Sequence, residues 1–338
     1  MIIGLLVILV LVLFLPFSVK KVEHNLEAFL FIMGVAAVLI SGSMNQHLIS
    51  KALIDPINIT VAVLIAGLVT KWAQAPLEKS ILTMSRILTP RVFLALTVIV
   101  LGLASSIITA IIAAIVLVIV INVLPLDRKS EIRFTVLACF AIGLGAALTP
   151  IGEPLSTITV SKMNEGFFYL IDLIGVEVIP AVVIFGILSM FLVKPQESTD
   201  GLKSDEKSES YKEILIRSAK IYLFVMGLTF LGQGFEPLIN EYILGLHPMI
   251  LYWINMISAI LDNATLAAAE ISPQMDGETI RAILLGLLIS GGMLIPGNIP
   301  NIIAAGKLKI TSKEWAKFGV PVGLVTMVLY FIVLFVFY

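Results

Sequence analysis

The stretch TPIGEPLSTITV, Thr149 to Val160, sets a carboxylate between two prolines and beside a glycine, in a chain otherwise rich in Leu, Ile, Val and Ala. Pro150 and Pro154 each remove a helix hydrogen bond and Gly152 loosens the backbone between them, so a helix entering this stretch is expected to open. Whether Glu153 then meets water, a protein core or the middle of a membrane depends on the rest of the chain.

Composition decides that. Of the 338 residues 59% are hydrophobic and 13% charged, against about 25% charged in soluble domains, and the mean hydropathy is +1.07. Largely apolar runs recur along the chain: Ile2–Phe17, Ala28–Ile40, Ile59–Val69, Val92–Leu124, Phe167–Val193 and Phe318–Tyr338. Several can cross a hydrocarbon core of about 30 Å, and none alternates as barrel strands would. The expected fold is an all-α polytopic membrane protein of about 8–10 transmembrane helices. The first run has no basic residue before it, Lys20 and Lys21 after it and no small-residue cleavage site, so it reads as a retained helix. Cys139 is the single cysteine, which excludes an internal disulfide and any cysteine metal site. A net charge of −1 gives no pull toward nucleic acid. No phosphate loop, hydrolase triad or His/Glu metal spacing lies in the spans, so neither an enzyme nor a cofactor is expected.

The opening stretch has a relative further along. Laying GAALTPIGEP (145–154) on GGMLIPGNIP (291–300) places Gly145, Pro150 and Pro154 on Gly291, Pro296 and Pro300. Before each, SSIITAII (105–112) resembles SAILDNAT (258–265), with Thr109 at the place of Asp262. Between the halves, KPQESTDGLKSDEKSESYKE (194–213) is polar and charged, a solvated linker. The expected organisation is N-terminal scaffold helices over 1–56 and a first repeat over 57–193, with hairpin 92–124 and broken helix 134–163. After the linker 194–213 comes a second repeat over 214–338, with hairpin 248–275 and broken helix 278–306.

Basic residues set the expected orientation, because short cytoplasmic loops are enriched in Lys and Arg. With Lys20 and Lys21 inside, the N-terminus lies outside. Lys71, Lys79, Arg86 and Arg91 precede the run 92–124, and Arg128, Lys129 and Arg133 follow it. Both flanks are inside only if the run enters and returns as a re-entrant hairpin, its tip near Ser105 and Ser106. One long tilted helix is the alternative and would reverse everything after it. In the second half, Glu236, Glu241 and His247 fall outside, a hairpin around Asp262 enters from that side, and Lys307, Lys309, Lys313 and Lys317 return inside. The two halves come out as inverted-topology repeats, a plan common among secondary transporters, in a cell (inner or plasma) membrane with a cytoplasmic linker.

Opened helices at membrane depth expose carbonyls and half-helix ends that can bind an ion or substrate. Glu153 is therefore a candidate ligand, and Asp262 is another, flanked by Asn263, Ser258 and Thr265. Carboxylate, amide and hydroxyl oxygens suit a hard cation such as Na⁺, and a buried carboxyl can instead take a proton. Asp262 could equally just cap a hairpin helix. Glu270 is expected near the outer mouth of its hairpin, in solvent; Glu177 is mid-span, as a relay or paired with a neighbouring helix; Asp172 is a weaker candidate. His24, His47 and His247 read as interfacial rather than as ligands.

At these residues the chain resembles the ion transporter (IT) superfamily, which includes D-type sodium/proton antiporters, arsenite exporters and sodium-coupled carboxylate carriers. The resemblance rests on an S-x-x-x-D-N hairpin tip (Ser258, Asp262, Asn263) and on the breaks TPIGEP and PGNIPN, and it is closest to a smaller, uncharacterised prokaryotic branch of cation transporters. It implies a scaffold domain, a moving transport domain, frequent homodimers and elevator-like motion. Its ion site would comprise Ser105, Ser106, Thr109, Asp262 and Asn263 at the tips, with Thr149, Gly152, Glu153, Gly297, Asn298 and Asn301 on the broken helices. Two departures stand out: the first hairpin lacks the asparagine many members carry, and the Ser-Asn-Thr motif of the carboxylate carriers is missing. The expected function is secondary antiport of Na⁺ against H⁺, with Asp262, Asn263 and Glu153 holding the metal ion. A sodium-coupled anion symporter is the alternative. No Lys or Arg occurs between Phe134 and Ser161 or between Leu246 and Thr279, which favours the cation.

Overall fold

The computed structural model describes residues 1–23, 25–194, 210–242, 246–261 and 263–336. His24, most of the linker and Asp262 lie outside the described residues. Among those described there are helices and no strands. In chain order they are α1 (Ile2–Ser18), α2 (Lys20–Glu23), α3 (Leu26–Ser41), α4 (Gln46–Ile87), α5 (Pro90–Ile108), α6 (Ala110–Val123), α7 (Arg128–Ala146), α8 (Pro154–Met163) and α9 (Tyr169–Leu192). Then come α10 (Tyr211–Tyr242), α11 (Pro248–Ile254), a 3₁₀ turn (Asn255–Ala259), α12 (Asn263–Glu270), α13 (Gly277–Gly291), a 3₁₀ turn (Ile295–Gly297), α14 (Ile299–Leu308) and α15 (Ser312–Val336).

Among the described residues, four segments are long and apolar enough to cross a membrane: Pro90–Ile108, Tyr169–Leu192, Tyr211–Leu238 and Ser312–Phe335. Shorter apolar helices, among them α3, α6 and the first part of α1, accompany them. The long helices turn apolar side chains outward, Val176, Phe191, Val325 and Leu329 among them. This is the surface of an all-helical multi-pass membrane protein, whose outer faces meet hydrocarbon.

The helices that lead into the breaks sit innermost. From Phe134 to Ala146 every residue of α7 is buried, and so is every residue from Ala282 to Gly291 in α13. A helix apolar all round belongs inside a larger assembly. Around them, α10 packs along α3, with Gly227 backed onto Gly34 and a Lys220–Glu27 ion pair.

The segment 92–124 is two helices meeting at Thr109, four residues later than the expected tip. Gly102 meets Ala141 and Gly145, Ser105 Oγ donates to Ile142 O at 2.9 Å, and Thr149 Oγ1 donates to Ser106 O, so α5 and α7 run side by side in the same direction. Only Leu124–Asp127 join α6 to α7, so α6 carries the chain back to the end where α5 began. Helix α9 runs against both, with Phe185 stacked on Phe140 and Arg133 Nη1 donating to Leu192 O.

The second half repeats this order of contacts. Gly286 abuts Tyr252, Ser290 Oγ donates to Asn255 O at 2.7 Å and Ser258 Oγ to Leu287 O at 3.2 Å, so α11 and its 3₁₀ turn run parallel to α13. Helix α15 turns back along α13, with Trp315 Nε1 donating to Gly292 O and Tyr252 hydroxyl to Met327 O. The two broken spans run in opposite directions. Arg128, at the start of the first, donates to the carbonyls of Leu308 and Lys309 at the end of the second, and bridges to Glu314 at 3.0 Å. Lys162, at the end of the first, donates to Ile271 O just before the second.

Candidate functional site

The two breaks are built on one plan. Helix α7 ends at Ala146 and α8 starts after Glu153, whose backbone is extended (φ −156°, ψ 160°); α13 ends at Gly291 and α14 starts after Asn298 (φ −154°, ψ 146°). Each short helix ends on a left-handed residue, Asn164 and Lys309. A Cβ at Gly152 would lie 2.0 Å from Ala146 O, and one at Gly297 2.5 Å from Gly291 O. Gly152 therefore corresponds to Gly297 and Glu153 to Asn298. This register differs by one residue from the alignment on prolines, because what the fold pins is the close pass of the chain over the preceding helix end, which only glycine permits.

A cavity of about 360 Å³ opens at the meeting of these breaks and is lined by Thr109, Gly152, Glu153, Thr157, Asn263 and Asn298, with Ile111, Ile151, Ile158 and Ile299 among its apolar walls. Four of these polar side chains come from four separate interruptions. Thr109 is the turn between α5 and α6, Glu153 and Asn298 precede the two short helices, and Asn263 opens α12. Glu153, Asn263 and Asn298 are each at least nine-tenths buried, and Asn263 Nδ2 has no hydrogen-bond partner. Asn298 is held by the first half, its Nδ2 lying 2.5 Å from where a Cβ of Gly143 on α7 would stand.

Thr109 has φ 75° and ψ 150°, a region that belongs almost wholly to glycine and costs a β-branched residue about 1–3 kcal/mol. The turn is tied to the first break by Ala110 N donating to Gly152 O at 3.0 Å. Its hydroxyl accepts from Ile112 N at 3.4 Å and stands in the cavity wall.

The remaining expected site residues brace the breaks rather than line the cavity. Ser105 Oγ donates to Gly102 O and Ile142 O, Ser106 Oγ to Leu103 O, and Thr149 Oγ1 to Ser106 O. Ser258 Oγ donates to Leu287 O. Asn301 Nδ2 donates to Gly291 O and Leu294 O, both at 2.9 Å, spanning the second break as a side-chain bracket. Gly297 packs on Gly291. Thr157 went unnoticed in the sequence; it closes the first break by donating to Pro150 O at 2.6 Å. A threonine four residues after the acid, in the first turn of the short helix, was the available signal.

Among the weaker candidates, Glu177 is buried and paired across the halves, Oε1 lying 3.6 Å from Arg281 Nε, while Tyr330 hydroxyl donates to its carbonyl. Asp172 is exposed in the first turn of α9. His47 is exposed, and His247 Nδ1 caps α11 by accepting from Met249 N. Glu270 corrects the sequence reading: it is 1% exposed rather than in solvent, because α8, α10 and α13 close over α12.

The sequence model of one family, described as a protein of unknown function (DUF1646), matches residues 2–337. No curated protein matches the chain.

Proposed function

The chain belongs to the DUF1646 family, and for this member we propose a secondary active transporter that exchanges Na⁺ for protons through the cavity at the paired breaks. One observation carries the reading: a carboxylate, two amides and a hydroxyl, from four interruptions in two oppositely running halves, line one cavity in an apolar protein. Hard oxygens gathered around one acid are the donor set of a small monovalent or divalent cation. Irregular backbone at membrane depth is tolerated where it lines such a cavity. Asp262, adjacent in sequence to Asn263, is proposed as a further ligand.

Matched contacts in antiparallel spans support an inverted repeat, with α5–α6 and α11–α12 as re-entrant hairpins and the broken spans counting as one crossing each. Arg128, Lys129, Arg133, Lys194, Lys307, Lys309 and Lys313 all belong to the end where α7 begins and α14 finishes, which supports a cytoplasmic location for that end.

A second reading, sodium-coupled uptake of an anion, draws on the N-termini of α8 and α14 at the cavity, since helix N-termini favour negative charge. Against it, Glu153 already places a carboxylate at the start of α8, and no Lys or Arg lines the cavity among the described residues.

The test uses purified protein in liposomes enclosing a pH-sensitive dye, with Na⁺, Li⁺, K⁺ or choline added outside and the membrane potential clamped. Exchange gives a luminal alkalinisation that requires Na⁺ or Li⁺. A flat response with Na⁺-driven uptake of a carboxylate or oxyanion would establish the second reading instead.

A further inference from the structure

The second hairpin holds a polar pair that the cavity does not use. Glu270, the last residue of α12, is 1% exposed, and neither of its carboxylate oxygens has a hydrogen-bond partner. Asn255, in the 3₁₀ turn on the opposite arm, is 0% exposed, and neither its Oδ1 nor its Nδ2 has one. The Asn255 amide stands at the edge of hydrogen-bonding reach of the Glu270 carboxyl. Buried polar groups left unmade cost about 1–3 kcal/mol each and an unpaired buried charge more, so a buried carboxyl met by a neutral amide alone requires an occupant or a role.

Neighbouring charges do not provide it. Helix α12 packs against α8, α10 and α13. Lys162 on α8 donates to Ile271 O, Arg281 on α13 is 3.6 Å from Glu177, and Lys220 on α10 pairs with Glu27. Among the described residues no cation forms an ion pair with Glu270. Nor does the hairpin architecture demand polarity here: in the first hairpin α6 reads AIIAAIVLVIVINV, without an acid and with its one asparagine, Asn122, in the last turn.

We propose that Glu270 and Asn255 form a second ion locus that takes up one positive charge, a proton or Na⁺, separately from the cavity. It rests on the exchange reading and adds to it a place where the second ion can be held. Asn263 and Glu270 stand at opposite ends of α12, about 10 Å apart along the axis. The two loci therefore sit on one rigid helix, and an ion at either one bears on the position of the other. A proton on Glu270 could be donated to Asn255 Oδ1 while Nδ2 donates back; Na⁺ would be held by the carboxylate oxygens and Oδ1.

The test is a count of ions on the purified full-length protein in detergent: ²²Na⁺ bound at saturation, and protons released on titration in weak buffer, for wild type, Glu270→Gln, Asn255→Ala and Glu153→Gln. Loss of one Na⁺ per chain in Glu270→Gln supports a sodium locus. Loss of one proton that titrates above the ordinary carboxylate range, with Na⁺ unchanged, supports a proton locus. Equal Na⁺ counts together with equal counts of protons titrating above that range, in Glu270→Gln and wild type, overturn the proposal. Should Glu270→Gln fail to elute as a folded species, Asn255→Ala decides: an approximately tenfold or greater change in affinity for the same ion supports the locus, and wild-type affinity overturns it. A liposome assay without exchange, beside an altered count in Glu270→Gln, would sink the exchange reading and leave the locus standing.

Discussion

The two helix breaks share a backbone and differ in charge. Glu153 and Asn298 hold nearly the same extended conformation, each preceded by a glycine passing over the end of the helix before it, and each facing one cavity. Only the first presents a carboxylate. The two breaks thus supply the same geometry twice and a carboxylate once. Under the proposed exchange, the acid at the first break sets the sign, and the amide opposite contributes a neutral oxygen without adding a second charge at the breaks.

Removing that difference should give the largest effect. Unit charges about 4 Å apart at an effective dielectric near 20 attract by about 4 kcal/mol, so Glu153→Gln is expected to weaken Na⁺-dependent exchange by at least about 100-fold. Asn298→Ala removes one neutral ligand, worth about 1.5 kcal/mol, and should cost about tenfold. Both are read as the Na⁺ concentration that half-saturates exchange in liposomes. Equal losses in the two variants would mean that charge at the first break does not set the function.

The shared backbone can be broken separately from the charge. A Cβ at position 152 would strike Ala146 O at 2.0 Å, and one at 297 would strike Gly291 O at 2.5 Å and Ser258 O at 2.7 Å. All three are main-chain atoms, so no side-chain rotation relieves the clash. Gly152→Ala and Gly297→Ala should each destabilise the protein, by about 1–3 kcal/mol, with the first the worse. Thermal unfolding in detergent measures this. Wild-type stability in Gly152→Ala would show that the break is not held at that carbonyl.

Much of this was legible in the sequence and some was not, for physical reasons. Composition and the Gly/Pro punctuation disclosed an all-helical membrane protein and located both breaks. Prolines, the loudest signal, give a register one residue away from the observed one, because the contact that fixes the chain is a glycine beneath a carbonyl. The sequence points to Ser105 and Ser106 for the turn of the first hairpin because they are polar in an apolar run. Yet buried serines can return their hydroxyls to carbonyls three residues back or on a neighbouring helix, and these do. The true turn is a threonine in a conformation threonine avoids, which no propensity scale would place there. Glu270 looked solvated because its burial comes from α8, α10 and α13, contacts remote in sequence.

Away from the breaks the halves should behave alike, and this is the smallest effect to test. Both broken spans begin with an aspartate N-cap at an exposed end: Asp127 Oδ1 accepts from Ser130 N at 3.0 Å, and Asp276 Oδ1 accepts from Thr279 N at 2.7 Å. The Ser130 side chain, then its backbone N–H, holds the Asp127 carboxyl below the usual carboxylate range. The Thr279 N–H, then its side chain, does the same for Asp276. A carboxyl whose folded pKa is depressed adds stability that is complete above its unfolded pKa and lost as pH falls through the folded one. Asp127→Ala and Asp276→Ala should therefore each cost about 1 kcal/mol at neutral pH, and the loss should vanish at pH values below the carboxylate range. Unfolding followed across that range should give superimposable differences for the two variants. A markedly larger loss at one cap would show that the two spans are anchored unequally, and that the asymmetry between the halves extends beyond the charge at Glu153.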